Sequence, residues 1–191
     1  MVEKVKLEEK SKEIKEFKTE EKIKANFTRE SVYSEDQPSK NLYDQSRFGE
    51  LKESKVSYSL VEALYLVEKK KMEVLDGKKV LTYDSFLQKA RKIQPNIWIK
   101  YSVFRDLRSR GYIVKTALKF GADFRVYERG IKPGEDHAKW IVYPVHEGET
   151  LTWTEWAAKN RVAHSTRKRL LMAVVDEEGD VSYWEARWVR P

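Results

Sequence analysis

The sequence predicts an α+β N-terminal domain over residues 26–95, followed by an α/β C-terminal domain over 96–191 whose mixed central sheet is flanked by helices. Three observations carry this. Residues 1–25 are dominated by Lys and Glu and hold too few apolar residues for a core, so they read as a charged tail. Between there and Pro95, short strand-like and helix-like stretches alternate with turn formers. After Pro95, helical and strand periodicities alternate to the end, the pattern of a helix-covered mixed sheet.

Composition sets outer limits. The 191 residues supply enough material for a real core. The chain is 40% apolar and 36% charged, with a formal charge of +7 and a pI near 9.3. That balance allows a polyanionic partner without demonstrating one. Ten of the thirteen arginines fall after residue 96, and Arg is the better bidentate phosphate ligand. With no cysteine, disulfides, thiolate catalysis and Cys-ligated metals are excluded. No apolar run approaches about 18 residues and the N-terminus is charged rather than signal-like, so a soluble, cytoplasmic protein is expected. Abundant Lys and Glu, scarce Asn and Gln and absent Cys point to a heat-adapted source.

In the N-terminal domain a strand is expected from Ile23 through Ala25 and Phe27 towards Val32 and Tyr33. Residues 34–48, with Pro38 and several turn formers, read as loop. Ser59 and Glu62 form a capping box for a helix whose apolar face uses Leu60, Ala63, Leu64 and Val67. Asp76-Gly77 marks a turn between short strands at 73–75 and 79–82. Ser85 is the expected cap of a second helix ending before Pro95. This unit carries no catalytic constellation.

In the C-terminal domain Ile97, Tyr101, Phe104 and Leu107 recur at helical spacing, with Gly111 placed to close the helix. Arg105, Arg108 and Arg110 crowd its polar face and last turn and read as solvated. Strands follow at 112–118, 124–127 and 139–145. Thr152 and Glu155 form a capping box for a helix to about Val162. Strands at 169–175 and 181–188 finish the chain, joined by the acidic turn Asp176-Glu177-Glu178-Gly179-Asp180.

The chemistry is sought among what remains. Neither a P-loop nor a dinucleotide fingerprint is present, and His137, His146 and His164 are too dispersed for a metal site. Paired carboxylates for a two-metal nuclease are not evident. Tyr127, His137 and Lys168 are then left beside many arginines, each at a strand edge or loop junction. Metal-free cleavage of RNA needs a base for the 2′-hydroxyl, an acid for the departing 5′-oxygen and a cation for the crowded phosphorane. His titrates in the range of the acid, and Lys is a compact charge suited to the phosphorane. Tyr, with a reference pKa of about 10, is an awkward base unless cations such as Arg125 or Arg129 assist. Read from residue types alone, a structural reading is favoured over a catalytic one, because buried Tyr and loop His are common structural residues.

Residues 55–75 and 97–191 resemble the archaeal tRNA-splicing endonucleases. The stretches that carry the resemblance are SLVEALYL, DLRSRGYIVKTALKFGADFRVYERG, EDHAKWIV and RVAHSTRKRLLMAVVDEEGDVSYW. The resemblance implies a nuclease-type α/β C-terminal domain and cleavage of precursor tRNA at a bulge–helix–bulge, leaving 2′,3′-cyclic phosphate and 5′-hydroxyl ends without metal or cofactor. It makes Tyr127 the base, His137 the acid and Lys168 the transition-state stabiliser, and suggests a catalytic rather than a non-cleaving, RNA-binding or structural subunit. His146 and His164 are read as decoys, the place of His164 in RVAHSTRK fitting a positioning or packing role. Family members clamp a flipped base between two arginines from different subunits. Arg161 matches the first, and Arg187 and Trp188 both lie near the second. The resemblance also gives Asp176, Glu177, Glu178 and Asp180 a role at a subunit interface, where the residues alone show a hairpin turn. A homotetramer is favoured, with a heterotetramer as the alternative.

Overall fold

The computed structural model describes residues 21–134 and 136–189; residues 1–20, most of the expected charged tail, lie outside them. Within the described residues two mixed sheets form, one per domain.

The N-terminal sheet has the order β3-β4-β2-β1-β5-β6. Strand β1 (Ile23–Phe27) begins inside the stretch read as tail and pairs parallel with β5 (Met72–Asp76). The single strand expected from Ile23 to Tyr33 is a hairpin instead. Thr28 N–H donates to Ser31 O at 2.8 Å, and β2 (Val32–Ser34) turns back antiparallel on β1. Residues 34–48, read as loop, contain helix α1 (Gln37–Ser46). Asp36 caps the Ser39 N–H, and Pro38 sits in the first turn, where a missing N–H costs nothing. The same two residues that suggest a turn thus start a helix.

The hairpin β3 (Glu50–Lys52) and β4 (Lys55–Tyr58) has no counterpart in the sequence reading, because β3 is exposed throughout and shows no apolar alternation. Helix α2 (Leu60–Glu68) opens on the foreseen Ser59–Glu62 capping box. After β6 (Lys79–Leu81), helix α3 (Tyr83–Ile93) is capped by Thr82 rather than Ser85, the Thr82 hydroxyl accepting the Ser85 N–H at 3.3 Å.

In the C-terminal domain helix α4 (Ile97–Ser109) ends where Gly111 takes φ +87°, as its place in the sequence requires. The sheet runs β11-β10-β9-β8-β7. Its strands are β7 (Ile113–Thr116), β8 (Phe124–Tyr127), β9 (Trp140–His146), β10 (Arg169–Val175) and β11 (Val181–Ala186). Pair β9–β10 is parallel and the remaining pairs are antiparallel. Helix α4 covers one face, its Phe104 and Leu107 sharing a core with Val126, Val142 and Ala173. Helix α5 (Trp153–Ser165), opened by the Thr152–Glu155 capping box, covers the other face over Ile141, Tyr143, Leu170 and Met172.

The domains share that first core. Phe104 meets Phe48 and Tyr65 of the N-terminal domain at centroid distances of 6.4 and 5.7 Å. A buried polar seam accompanies it. The Glu62 carboxylate accepts the Gly49 N–H at 2.9 Å and lies 4.0 Å from Lys115 Nζ, which donates to Gly49 O. Arg108 is not on a solvated face: its guanidinium lies 3.7 Å from the Phe48 ring centre and donates to Ser46 O at 3.1 Å. Among the described residues no helix is long and apolar enough to cross a membrane.

Candidate active site

Sheet topology brings Tyr127, His137 and Lys168 to one end. Strand β8 runs antiparallel to β9, so Tyr127 at the end of β8 lies beside the start of β9. Strand β10 runs parallel to β9, so its start also lies there. Lys139 joins the two: its N–H donates to Val126 O and its carbonyl accepts the Arg169 N–H, both at 2.9 Å. His137 stands three residues before Trp140, the first residue of β9, and Lys168 immediately precedes Arg169.

Each side chain is placed by a different local cause. Tyr127 is 4% exposed, the last residue of a strand buried between α4 and α5. His137 is exposed, its N–H donating to the Asp136 carboxylate at 2.6 Å. Lys168 follows Arg167, whose left-handed φ of 55° swings the chain from α5 into β10. The Lys168 N–H donates to Ala163 O and its Nζ to Thr166 O, each at 2.8 Å. Burial, and after it the charge of Arg125, lowers the Lys168 pKa below the ordinary lysine value. The ammonium is thereby stripped of part of its water, which strengthens its field on a nearby anion.

A second group lies at the same end. Trp156, Arg161, His164 and Trp188 line a cavity of 510 Å³ between α5 and the residues after β11. Arg161 and His164 are exposed, and Trp188 is 52% exposed. Arg187 points elsewhere, its Nε donating to Glu185 at 2.7 Å. Glu185 also accepts from Trp140 Nε1 at 2.8 Å and from Arg169 at 3.2 Å. These bonds, that from Trp140 foremost, hold its carboxyl at about 2. Nothing local in the sequence signals this network, since Trp140 and Glu185 belong to strands separated by β10.

The acidic turn is not part of this end. It follows the far end of β10, whose seven residues span on the order of 20 Å. Glu177, Glu178 and Asp180 are exposed, while Gly179 is buried against the Trp98 indole, where an added Cβ would come within 2.4 Å. Asp176 accepts the Asp180 N–H at 2.8 Å, and His146 Nε2 lies 3.6 Å from Glu177. Among the described residues no three His, Cys, Asp or Glu side chains cluster as metal ligands.

Both domains match known families. Residues 23–87 match the tRNA intron endonuclease N-terminal domain, and residues 97–183 match the tRNA intron endonuclease catalytic C-terminal domain. The tRNA-splicing endonuclease of Thermococcus gammatolerans is 45% identical over 160 residues, 83% of this chain and 94% of that protein. That of Thermococcus onnurineus is 43% identical over 171 residues, covering 89% and 98%. That of Pyrococcus abyssi is 42% identical over 160 residues, covering 83% and 92%. With both domains in order and relatives matched almost end to end, the chain belongs to the tRNA-splicing endonuclease family.

Proposed function

We propose that the chain cuts precursor tRNA at both intron boundaries of a bulge–helix–bulge, by acid–base chemistry that needs no metal, at the end of the sheet formed by Tyr127, His137 and Lys168. Tyr127 takes the proton of the 2′-hydroxyl, whose oxygen attacks the adjacent phosphorus. His137 gives a proton to the departing 5′-oxygen, and Lys168 offsets the charge gathering on the phosphorane. The products carry a 2′,3′-cyclic phosphate and a 5′-hydroxyl. The single observation that carries this reading is the convergence of three separate chain segments on one sheet end, through the paired hydrogen bonds of Lys139. Exposed His137 suits an acid that must reach the leaving group, and part-buried Lys168 suits a fixed electrostatic role.

Arg161 and Trp188 serve as the base clamp in this reading, Arg187 being engaged by Glu185. Two cuts per substrate call for two sites at fixed separation, supplied by a homotetramer held through the turn of Asp176, Glu177, Glu178 and Asp180. The test is where the purified chain cuts. Cleavage at both boundaries of a bulge–helix–bulge RNA, and none of a fully paired control, would support the proposal. Binding without cutting, both alone and with a candidate partner subunit, would instead favour a non-cleaving subunit.

A further inference from the structure

Arg125 stands two residues before Tyr127 on β8, so both side chains leave the same face of the sheet. In register, Arg125 lies opposite Lys115 on β7 and Ile141 on β9, and Ile141 lies opposite Leu170 on β10. Lys168 precedes Leu170 by two residues, so Tyr127 and Lys168 occupy the next row outward on that face. Strands β8 and β10 are about 10 Å apart at two strand spacings, within reach of one extended guanidinium and one ammonium.

Lys115, Arg125, Lys168 and, by the same register, Lys139 share this face, and their counter-groups are unequal. Lys139 has the Glu128 carboxylate. Lys115 has Glu62 and the Gly49 carbonyl. Lys168 has the Thr166 carbonyl. Arg125 has no salt bridge among the described residues, and its Nε is buried without a hydrogen-bond partner there. Its charge, acting after burial itself, also lowers the pKa of both Lys115 and Lys168. Holding a half-buried, unanswered cation between two others is unfavourable for the folded chain on its own. The arrangement suits an anion that arrives with the substrate, and a guanidinium fork matches phosphate geometry better than an ammonium does.

We infer that Arg125 is a phosphate-binding residue of this site, its guanidinium taking a non-bridging oxygen of the RNA backbone at the cleavage point beside Lys168. This rests on the reading of the Tyr127–His137–Lys168 end as the cleavage site. It assigns Arg125 to binding and orienting the phosphodiester, with proton transfer left to the other residues.

The test uses the full chain and a bulge–helix–bulge RNA carrying 2′-deoxy residues at both splice sites, which binds but lacks the nucleophile. Arg125→Met is expected to weaken binding about tenfold at moderate salt and to reduce the slope of log K against log salt by about 0.7 to 1. Arg125→Lys is expected to restore the slope yet cleave the all-ribose RNA more slowly, having the charge without the fork. The melting temperature of Arg125→Met should equal or exceed that of the unsubstituted chain, because a repulsive cation has gone. A salt slope in Arg125→Met equal to that of the unsubstituted chain would overturn the inference, whatever the melting temperature. Failure of the unsubstituted chain to bind this RNA would instead count against the cleavage-site reading.

Discussion

The indole of Trp188 stands edge-on to the imidazole of His164, with ring centroids 4.4 Å apart and planes at 72°. That contact forms an aromatic wall of the cavity between α5 and the C-terminal residues, which Arg161 also lines. Stacking of one base on such a wall contributes roughly 1–3 kcal/mol. Trp188→Ala should therefore weaken binding of uncleavable bulge–helix–bulge RNA by roughly 5- to 150-fold. Arg187→Ala, which removes an exposed ion pair, should change it by less than about fivefold. Fluorescence anisotropy of labelled RNA separates the two; a larger loss in Arg187→Ala would reassign the clamp.

His137 is exposed and makes its one described hydrogen bond through the backbone. His137→Ala should lower the single-turnover cleavage rate by about 10²- to 10⁴-fold. Its unfolding free energy should stay within about 0.5 kcal/mol, as for other surface substitutions. Rapid-quench kinetics and denaturant titration check the two halves. A rate unchanged by the substitution would remove His137 from the chemistry.

Glu185 is held at about 2, below its ordinary 4.5, by bonds from Trp140, Arg187 and Arg169. Between those values the unfolded chain binds more protons at this group than the folded chain does. Its contribution is thus complete above pH 4.5 and lost as pH falls towards 2. Glu185→Gln should flatten that part of the acid-unfolding curve, measured by circular dichroism. A curve parallel to that of the unsubstituted chain would contradict the assignment.

Glu62 is 4% exposed and serves three tasks at once: it closes the α2 capping box, accepts the Gly49 N–H and faces Lys115. Removing one partner of such a buried pair costs about 3–5 kcal/mol. Glu62→Ala should cost about that much in urea unfolding, and Lys115→Met less, since the Glu62 carboxylate left behind keeps its hydrogen bonds from Gly49 and Ser59. The reverse order would show that Lys115 anchors the seam.

In the proposed homotetramer, reversing Glu177 and Asp180 to Lys should dissociate the subunits, since both carboxylates are exposed on a turn whose backbone is fixed from within by Asp176 and the Gly179–Trp98 contact. Light scattering gives the mass directly. An unchanged mass would place the subunit interface elsewhere.

The candidate site was more legible in the sequence than its surroundings. Residues 124–127 and 169–175 are strands with the bounds that their apolar runs suggest, because both are buried on two faces and carry a strong signal. The resemblance placed Tyr127, His137 and Lys168, while their meeting at one sheet end follows only from the β8–β9–β10 order. Helix α1 was missed because Asp36 and Pro38 serve turns and helix starts alike. The inward course of Arg108 and the Trp140–Glu185 bond depend on partners 62 and 45 residues away, which no local pattern encodes.

The most direct measurement is end-group analysis of RNA cleaved by the chain in excess EDTA. The account predicts 2′,3′-cyclic phosphate and 5′-hydroxyl ends at both cuts, with the same rate as without chelator. Ends bearing a 3′-hydroxyl and 5′-phosphate, or activity abolished by EDTA and restored by a divalent cation, would contradict it.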